Sequence, residues 1–299
     1  MILSNVKLAL GTVQWGMPYG ITNTDGQPDL ISVEKIMDRA FTSGIDLLDT
    51  ASAYGISEEL LGRYVTEERS FRIVTKTVGL GNERIGDKEI ERLKKGIDQS
   101  FMRLRRNKIY GILVHDAMEL LLPGGERVFS ELEALKQSNC VAKIGISAYS
   151  PDVVLKVTQK YPIDLVQVPL NLLDQRVVTS GILQKLKNEG VEIHVRSAFL
   201  QGTLLADIKT LPAKFNSIHK QFSLIEDVTK RAGLSKMALA LSFIKRIPEV
   251  DRILVGVLNE RQLEECLAAV NSDQIDEIDF RQFESHDLSI IDPSRWKFA

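Results

Sequence analysis

The chain has 299 residues, 44% hydrophobic and 26% charged, and its 38 basic and 40 acidic side chains leave a net charge of −2. That length can bury a sizeable core, and the near-neutral balance offers no electrostatic footprint for nucleic acid or an anionic membrane. No stretch approaches the roughly 18 apolar residues of a membrane span, no signal peptide is expected from the first residues, and Cys140 and Cys266 read as free, buried thiols of a reducing cytoplasm.

Short β-branched runs alternate with longer helical patterns. Residues 7–10 form the first expected strand and 45–48 the second. Ser57, followed by Glu58 and Glu59, then opens a helix with acid in its positive first turn. A third strand at 71–75 precedes the clearest amphipathic helix, with Ile90, Leu93, Ile97, Phe101 and Leu104 spaced by three and four and Asp87 placed to cap it. Strands follow at 109–114 and 141–146, and Ser150-Pro151-Asp152 opens the next helix with proline at its first position. The remaining strands are 165–168, 191–195 and 252–255, and Asn259 with Gln262 resembles a capping box for a helix whose stripe includes Leu263, Leu267 and Val270. Each strand is a near-continuous apolar run, as parallel strands covered on both faces require.

Eight such alternations point to an α/β fold, a (β/α)₈ TIM barrel forming a single domain over residues 1–299. An open doubly wound sheet is the alternative, and no glycine fingerprint opens its first helix. Two segments exceed the alternation. One is the long loop at 200–234 after the seventh strand; the other is a C-terminal extension at 272–299 carrying Phe280, Phe283, Ile290, Ile291, Trp296 and Phe298. Either could be structural padding or a cover for the C-terminal face of the barrel.

Polar residues gather where the strands end. Strand two runs into Asp49-Thr50-Ala51 and Tyr54-Gly55, strand three into Lys76, and strand four into His115-Asp116. Carbonyl reduction needs a hydride at carbon and a proton at oxygen. A phenol with an ordinary pKa near 10 can give that proton if a neighbouring ammonium stabilises its phenolate. Lys76 is placed to be that ammonium, Asp49 to hold it, and His115 to orient the carbonyl oxygen. Taken singly, each has a duller role as cap, packing ring or surface charge. The four histidines include no close pair, so no metal site is expected.

The run Gly44-Ile45-Asp46-Leu47-Leu48-Asp49-Thr50-Ala51, with Tyr54-Gly55, Ser57-Glu58 and Leu61-Gly62, resembles the aldo-keto reductase signature. The likeness extends to Leu10-Gly11-Thr12, Thr75-Lys76-Thr77, Val114-His115, Lys143-Ile144-Gly145-Ile146-Ser147, Gln167 with Asn171, and Arg196-Ser197 with Gly202-Thr203-Leu204. It implies an enzyme, an NAD(P)-dependent oxidoreductase reducing a small carbonyl compound, with the tetrad Asp49, Tyr54, Lys76 and His115. Gly11 and Thr12 fall at the first strand end of the implied cofactor site. Ser147 and Gln167 match the nicotinamide carboxamide positions, and Arg196 the place of a side chain stacked on the ring. Ser197, Leu200 and Gly202 match the pyrophosphate segment, and Gly256, Asn259, Gln262 and Glu265 the adenosine end.

NADP(H) is the cofactor the resemblance favours, with NAD(H) as the alternative. Three departures bear on the site: Ala148 replaces a frequent asparagine, Asp116 a frequent arginine, and Leu258 a frequent arginine for the ribose 2′-phosphate. Arg261 is the one positive charge nearby in the sequence. Trp15, Met17 and Tyr19 after the first strand either line a substrate pocket or pack their own loop. The competing functional reading is a slow or non-catalytic barrel that binds cofactor as a regulatory subunit.

Overall fold

In the computed structural model, residues 7–66, 69–81, 83–272 and 278–296 are described. Eight strands, β1 (Leu8–Gly11), β2 (Leu47–Asp49), β3 (Arg72–Lys76), β4 (Ile109–Val114), β5 (Val141–Ser147), β6 (Leu165–Pro169), β7 (Glu192–Arg196) and β8 (Arg252–Val255), close into a barrel in sequence order. All neighbours pair in parallel, and β1 pairs with both β2 and β8. This is the expected (β/α)₈ barrel.

Six strands lie shifted towards, or run further to, their C-terminal ends than the apolar runs suggest. The ladder is made by backbone groups and does not stop where side chains turn polar. Gly11, Asp49, Lys76, Ser147 and Arg196 are therefore the last residues of strands, on rigid backbone, rather than the first residues of loops.

The strand interiors divide between two cores. Ala9, Leu47, Val74, Leu113, Leu165 and Leu254 pack together as one cluster, against which Tyr110 packs. The alternate residues, such as Leu8, Leu10, Ile73, Ile112 and Val166, join the larger core with the helices. This is the period-two division of a strand buried on both faces. The barrel is floored at the N-terminal strand ends by charge. Glu192 accepts from the Tyr110 hydroxyl at 2.5 Å and His194 Nε2 lies 2.7 Å from it, while Lys143 also ends on it. Asp46 pairs with Arg72 at 2.6 Å and Arg252 at 3.2 Å.

Several local expectations change. Asp87 is the first residue of the helix Asp87–Leu104, not its cap; its carboxylate instead meets Arg127 at 2.7 Å, and Glu89 satisfies the Gly86 N–H at 2.9 Å. Glu58 is not merely an acid facing a helix dipole. It is buried, accepts from Thr75 Oγ1 at 2.6 Å and pairs with Arg103 at 2.7 Å. Asn259 caps Glu260–Val270 through the Gln262 N–H at 2.9 Å, but Gln262 reaches back to the N–H of Leu258, one residue before the cap. Both cysteines are free; Cys266 is buried, but Cys140 is only half-buried.

The long segment after β7 resolves into three 3₁₀ turns and the helix His219–Ala232 ahead of the barrel helix Lys236–Lys245. The C-terminal segment packs outside the barrel. Phe280 lies tilted against Phe243 with 5.1 Å between centroids, Trp296 meets Phe215 edge-on at 5.3 Å, and Gln175 donates to the Phe280 carbonyl at 2.7 Å. Phe298 lies outside the described residues. No helix among the described residues is long and apolar enough to cross a membrane.

Candidate active site

The C-terminal strand ends open into a cleft of about 410 Å³. At its base, Asp49 is buried at the end of β2. Its Oδ2 accepts from Lys76 Nζ at 2.6 Å, and its Oδ1 from Gln167 Nε2 at 2.6 Å. Lys76, at the end of β3, also donates to the Thr50 carbonyl at 2.9 Å and lies 5.0 Å from the centroid of the Tyr54 ring. Burial opposes the ammonium, but Asp49 and the Tyr54 hydroxyl outweigh it and the Lys76 pKa is raised, so Lys76 stays charged.

Tyr54 is positioned by a tight turn. Its N–H donates to the Ala51 carbonyl at 3.0 Å and its carbonyl accepts from Ser57 N–H at 3.0 Å. Gly55 adopts φ +53°, and a Cβ there would lie 2.1 Å from the Gly16 carbonyl oxygen; a Cβ on Gly16 would lie 1.7 Å from the Tyr54 oxygen. The two glycines let this turn press against the short helix Val13–Gly16. Under it, Ser57 Oγ bonds Thr12 Oγ1 at 2.6 Å and Thr50 Oγ1 at 3.0 Å.

His115 meets Tyr54 edge-on with ring centroids 6.0 Å apart. Burial, reinforced by the Lys76 charge and, more weakly, by Arg196, pushes the imidazole down to about 4, with Asp49 opposing. His115 is neutral at pH 7. Asp116 beside it does not reach the cleft wall; it accepts from the Met118 N–H at 3.0 Å and caps the turn Ala117–Leu121.

Above this base, the wall includes Gly11, Ser147, Gln167, Arg196, Ser197 and Gly202, and then Gly256, Gln262 and Glu265. Gln167 belongs to this wall, and its Oε1 is buried without a partner. The chain leaving β7 is left-handed at Ser197 (φ 61°), Leu200 (47°), Gln201 (55°) and Gly202 (87°). Such backbone at non-glycine residues costs on the order of 1–3 kcal/mol each, and it clusters at ligand sites. Thr22 Oγ1 donates to the Gln201 carbonyl at 3.3 Å, so the loop after β1 is tied to this segment.

Several residues singled out in the sequence do not line the cleft wall, the buried Lys76 among them. Thr12 is fully buried and donates to the Asp49 carbonyl at 2.9 Å. Leu200 is buried in the core, where it anchors the left-handed segment. Asn259 is spent on its cap. Trp15 is fully buried, with Nε1 donating to the Val257 carbonyl at 3.0 Å, so it packs its loop and touches no substrate space. Tyr19 does line the cleft; Met17 does not. Gln14, the turn carrying Thr22 and Asp25, Tyr149, Met237 and Cys266 also form the wall, though no motif in the sequence marks them for it. Tyr149 carried a signal, since it follows the end of β5 by two residues. The others reach the cleft by paths that no local pattern encodes.

A sequence profile of the Aldo/keto reductase family matches residues 7–288. L-glyceraldehyde 3-phosphate reductase of Escherichia coli is 26% identical, the match covering 86% of this chain and 84% of that protein. L-galactose dehydrogenase of Arabidopsis thaliana is 28% identical over 90% and 86% of the two chains. Among solved structures, the holo form of an aldo-keto reductase from Bacillus halodurans shares the fold with a TM-score of 0.72 and 18% identity, over 93% of this chain and 90% of that one. Since the family profile spans almost the whole barrel, the chain belongs to the aldo/keto reductase family, whose members are oxidoreductases acting on carbonyl or sugar-like compounds.

Proposed function

We propose that this protein reduces an aldehyde or ketone to the alcohol using a reduced nicotinamide dinucleotide, with Tyr54 as the proton donor. The observation that carries the reading is the Lys76 ammonium, buried between the Asp49 carboxylate at 2.6 Å and the Tyr54 ring at 5.0 Å, at the base of the cleft.

The residues present fit the cofactor. Gln167 uses its amide nitrogen on Asp49 and keeps a buried, unpartnered Oε1 able to accept from a carboxamide. Gly202 and Gly256 let the segment after β1 lie directly against the wall: a Cβ on either would collide with Thr22 or Gln14, at 1.9 and 2.3 Å. Ser147, Arg196, Ser197 and the strained segment after β7 form the side assigned to the nicotinamide and pyrophosphate. When bound, the reduced nicotinamide supplies the hydride that forms the new C–H bond.

The chain's own residues supply the rest. Neutral His115 donates a hydrogen bond to the carbonyl oxygen and adds no second positive charge beside Lys76. Tyr54 transfers its phenolic proton to that oxygen. Lys76 stabilises the phenolate left behind, and Asp49 fixes the Lys76 position while balancing its charge. The names of the relatives, which include an aldose phosphate reductase and a sugar dehydrogenase, support a sugar-like or small carbonyl substrate.

Replacing Tyr54 by Phe tests the assignment. Turnover of any accepted aldehyde is expected to fall at least about a hundredfold, the usual scale of acid catalysis, while reduced-cofactor affinity stays within a few fold. Near-normal turnover would sink the mechanism.

A further inference from the structure

Lys76 ends β3 and His115 follows β4, so the loops leaving these two strands carry half of the tetrad between them. Thr77 joins the two loops. Its N–H donates to the Leu113 carbonyl at 2.9 Å, and its Oγ1 accepts from the His115 N–H at 3.2 Å. The path of residues 77–81 therefore reaches Lys76 through the chain and His115 through Thr77.

A buried carboxyl sets that path. Glu119, in the turn Ala117–Leu121 after β4, is 3% exposed, and its Oε1 accepts from the Leu80 N–H at 2.5 Å. The Gly81 N–H acts on the same carboxyl, while Oε2 is buried without a partner. Farther along, the Ile85 N–H donates to the Pro123 carbonyl at 2.8 Å, and a Cβ on Gly124 would lie 2.2 Å from the Ile85 oxygen. Backbone contacts thus fix the loop at Thr77 and Ile85, and between them Glu119 reaches across from β4 to hold Leu80.

The charges around Glu119 show that reach, not charge, is what it supplies. Asp116 of its own turn opposes the negative form, and Arg92 of the helix Asp87–Leu104, which favours it, donates to the Gly79 carbonyl instead of pairing with it. Burial, reinforced by Asp116, pushes the carboxyl up to about 7 against the Leu80 and Gly81 N–H groups and Arg92. A bound proton sits on the free Oε2, so Oε1 accepts in either state.

We propose that Glu119 is a positioning residue for carbonyl reduction: it holds residues 77–81 to the turn after β4 and so fixes the spacing of Lys76 and His115 about Tyr54. This rests on the carbonyl-reductase reading and adds to it a side chain that does not line the cleft. It requires no new chemical step.

Two substitutions separate reach from charge. Glu119→Gln keeps the length and an acceptor oxygen without the charge; Glu119→Asp keeps the charge and is shorter by one methylene. With any accepted aldehyde, Glu119→Asp should lower kcat about tenfold or more, the scale on which small misplacements of reacting groups act, while KM and reduced-cofactor affinity stay within a few fold. Glu119→Gln should restore kcat to near that of the unmodified enzyme. A residue that only stabilises the fold would lower Tm in Glu119→Asp and leave kcat unchanged, and that result overturns the proposal. A large loss of kcat in Glu119→Gln overturns it as well, because the charge would then matter. If Glu119→Asp does not fold, Thr77→Val removes the acceptor of the His115 N–H at nearly constant shape: kcat should fall severalfold, and an unchanged kcat ends the proposal.

If the unmodified protein reduces no carbonyl, the catalytic reading fails on its own. Amide hydrogen exchange then reads the coupling of the two loops: exchange at Leu80 and His115 should quicken together in Glu119→Asp and in neither position in Glu119→Gln. Faster exchange at Leu80 with His115 unchanged, or no change at Leu80, shows that Glu119 does not tie the loops together.

Discussion

Lys76 and His115 flank Tyr54, and burial in one pocket leaves them in opposite charge states. The lysine keeps its proton because Asp49 lies 2.6 Å away; the histidine has no such anion of its own and is pushed down to about 4. An unfolded histidine titrates near 6.5, so between those values the unfolded chain binds a proton that the native site refuses. Stability linked to His115 is therefore complete above about 6.5 and is lost as pH falls towards 4. The same depression shapes catalysis, since the imidazole stays neutral down to the acid range. We expect kcat/KM to be flat between about pH 5 and 8, without the inflection near 6.5 of an ordinary histidine. A pH–rate profile of the unmodified enzyme and His115→Gln checks this. An inflection near 6.5 that disappears in the glutamine variant would show that His115 titrates as an exposed residue does.

Two elements far from each other in the fold make that residue geometry possible. One is the turn bearing Tyr54, which lies on the helix Val13–Gly16 through contacts that exclude any side chain at Gly16. Gly16→Ala must push the turn away, at a cost typical of overpacking, about 1–3 kcal/mol or more. We expect both a lower Tm and a loss of turnover larger than the loss of cofactor affinity; unchanged kcat with unchanged Tm would mean that the turn is free to move. The other is the barrel floor, where Glu192 joins Tyr110, Lys143 and His194. Although burial opposes its charge, hydrogen bonds from His194, Lys143 and Tyr110 hold the carboxyl far below the usual carboxylate range. Its contribution is thus complete above the unfolded value near 4.3 and disappears as pH falls through the folded one. Glu192→Gln should cost roughly 2–3 kcal/mol at pH 7 by stranding Lys143, with the difference from the unmodified protein shrinking below about pH 4. Denaturant unfolding at pH 7 and at acid pH measures both. Strand positions and the residue types of Asp49, Tyr54, Lys76 and His115 were legible in sequence because apolar runs and polar strand ends are local features. The floor, the Gly16 contact and the burial of Thr12 and Trp15 were not, since each depends on which neighbour lies across a barrel that no short pattern describes.

Across the whole molecule the cleft is electrically lopsided, and the bound nucleotide would feel this along its length. Arg196 supplies positive charge beside β7, whereas the described wall after β8 is formed by Gly256, Leu258, Gln262, Glu265 and Cys266, with no cation. The resemblance places the adenosine end there and, from the habit of the family, favours NADP(H). Arg261, the one basic residue that the sequence offered for a 2′-phosphate, is 87% exposed and turned to Glu265 at 3.0 Å. The described residues 278–296 of the C-terminal segment do not make up the deficit, because none of them joins the cleft wall; they pack on Phe215, Phe243 and Gln175 instead. One charge-assisted hydrogen bond contributes about 1.5–3 kcal/mol, roughly ten- to a hundredfold in affinity. Without one, only the positive end of the helix Glu260–Val270 favours the extra phosphate, and the nearby Glu265 carboxylate opposes it. We therefore expect NADPH to bind no more than about tenfold more tightly than NADH, and Leu258→Arg to strengthen NADPH binding by about tenfold while leaving NADH nearly unchanged. Fluorescence titration of both proteins with both reduced cofactors measures the ratio. A hundredfold preference for NADPH in the unmodified protein would require a cation at the phosphate, and among the described residues of the helix after β8 Arg261 would have to leave Glu265 to provide it.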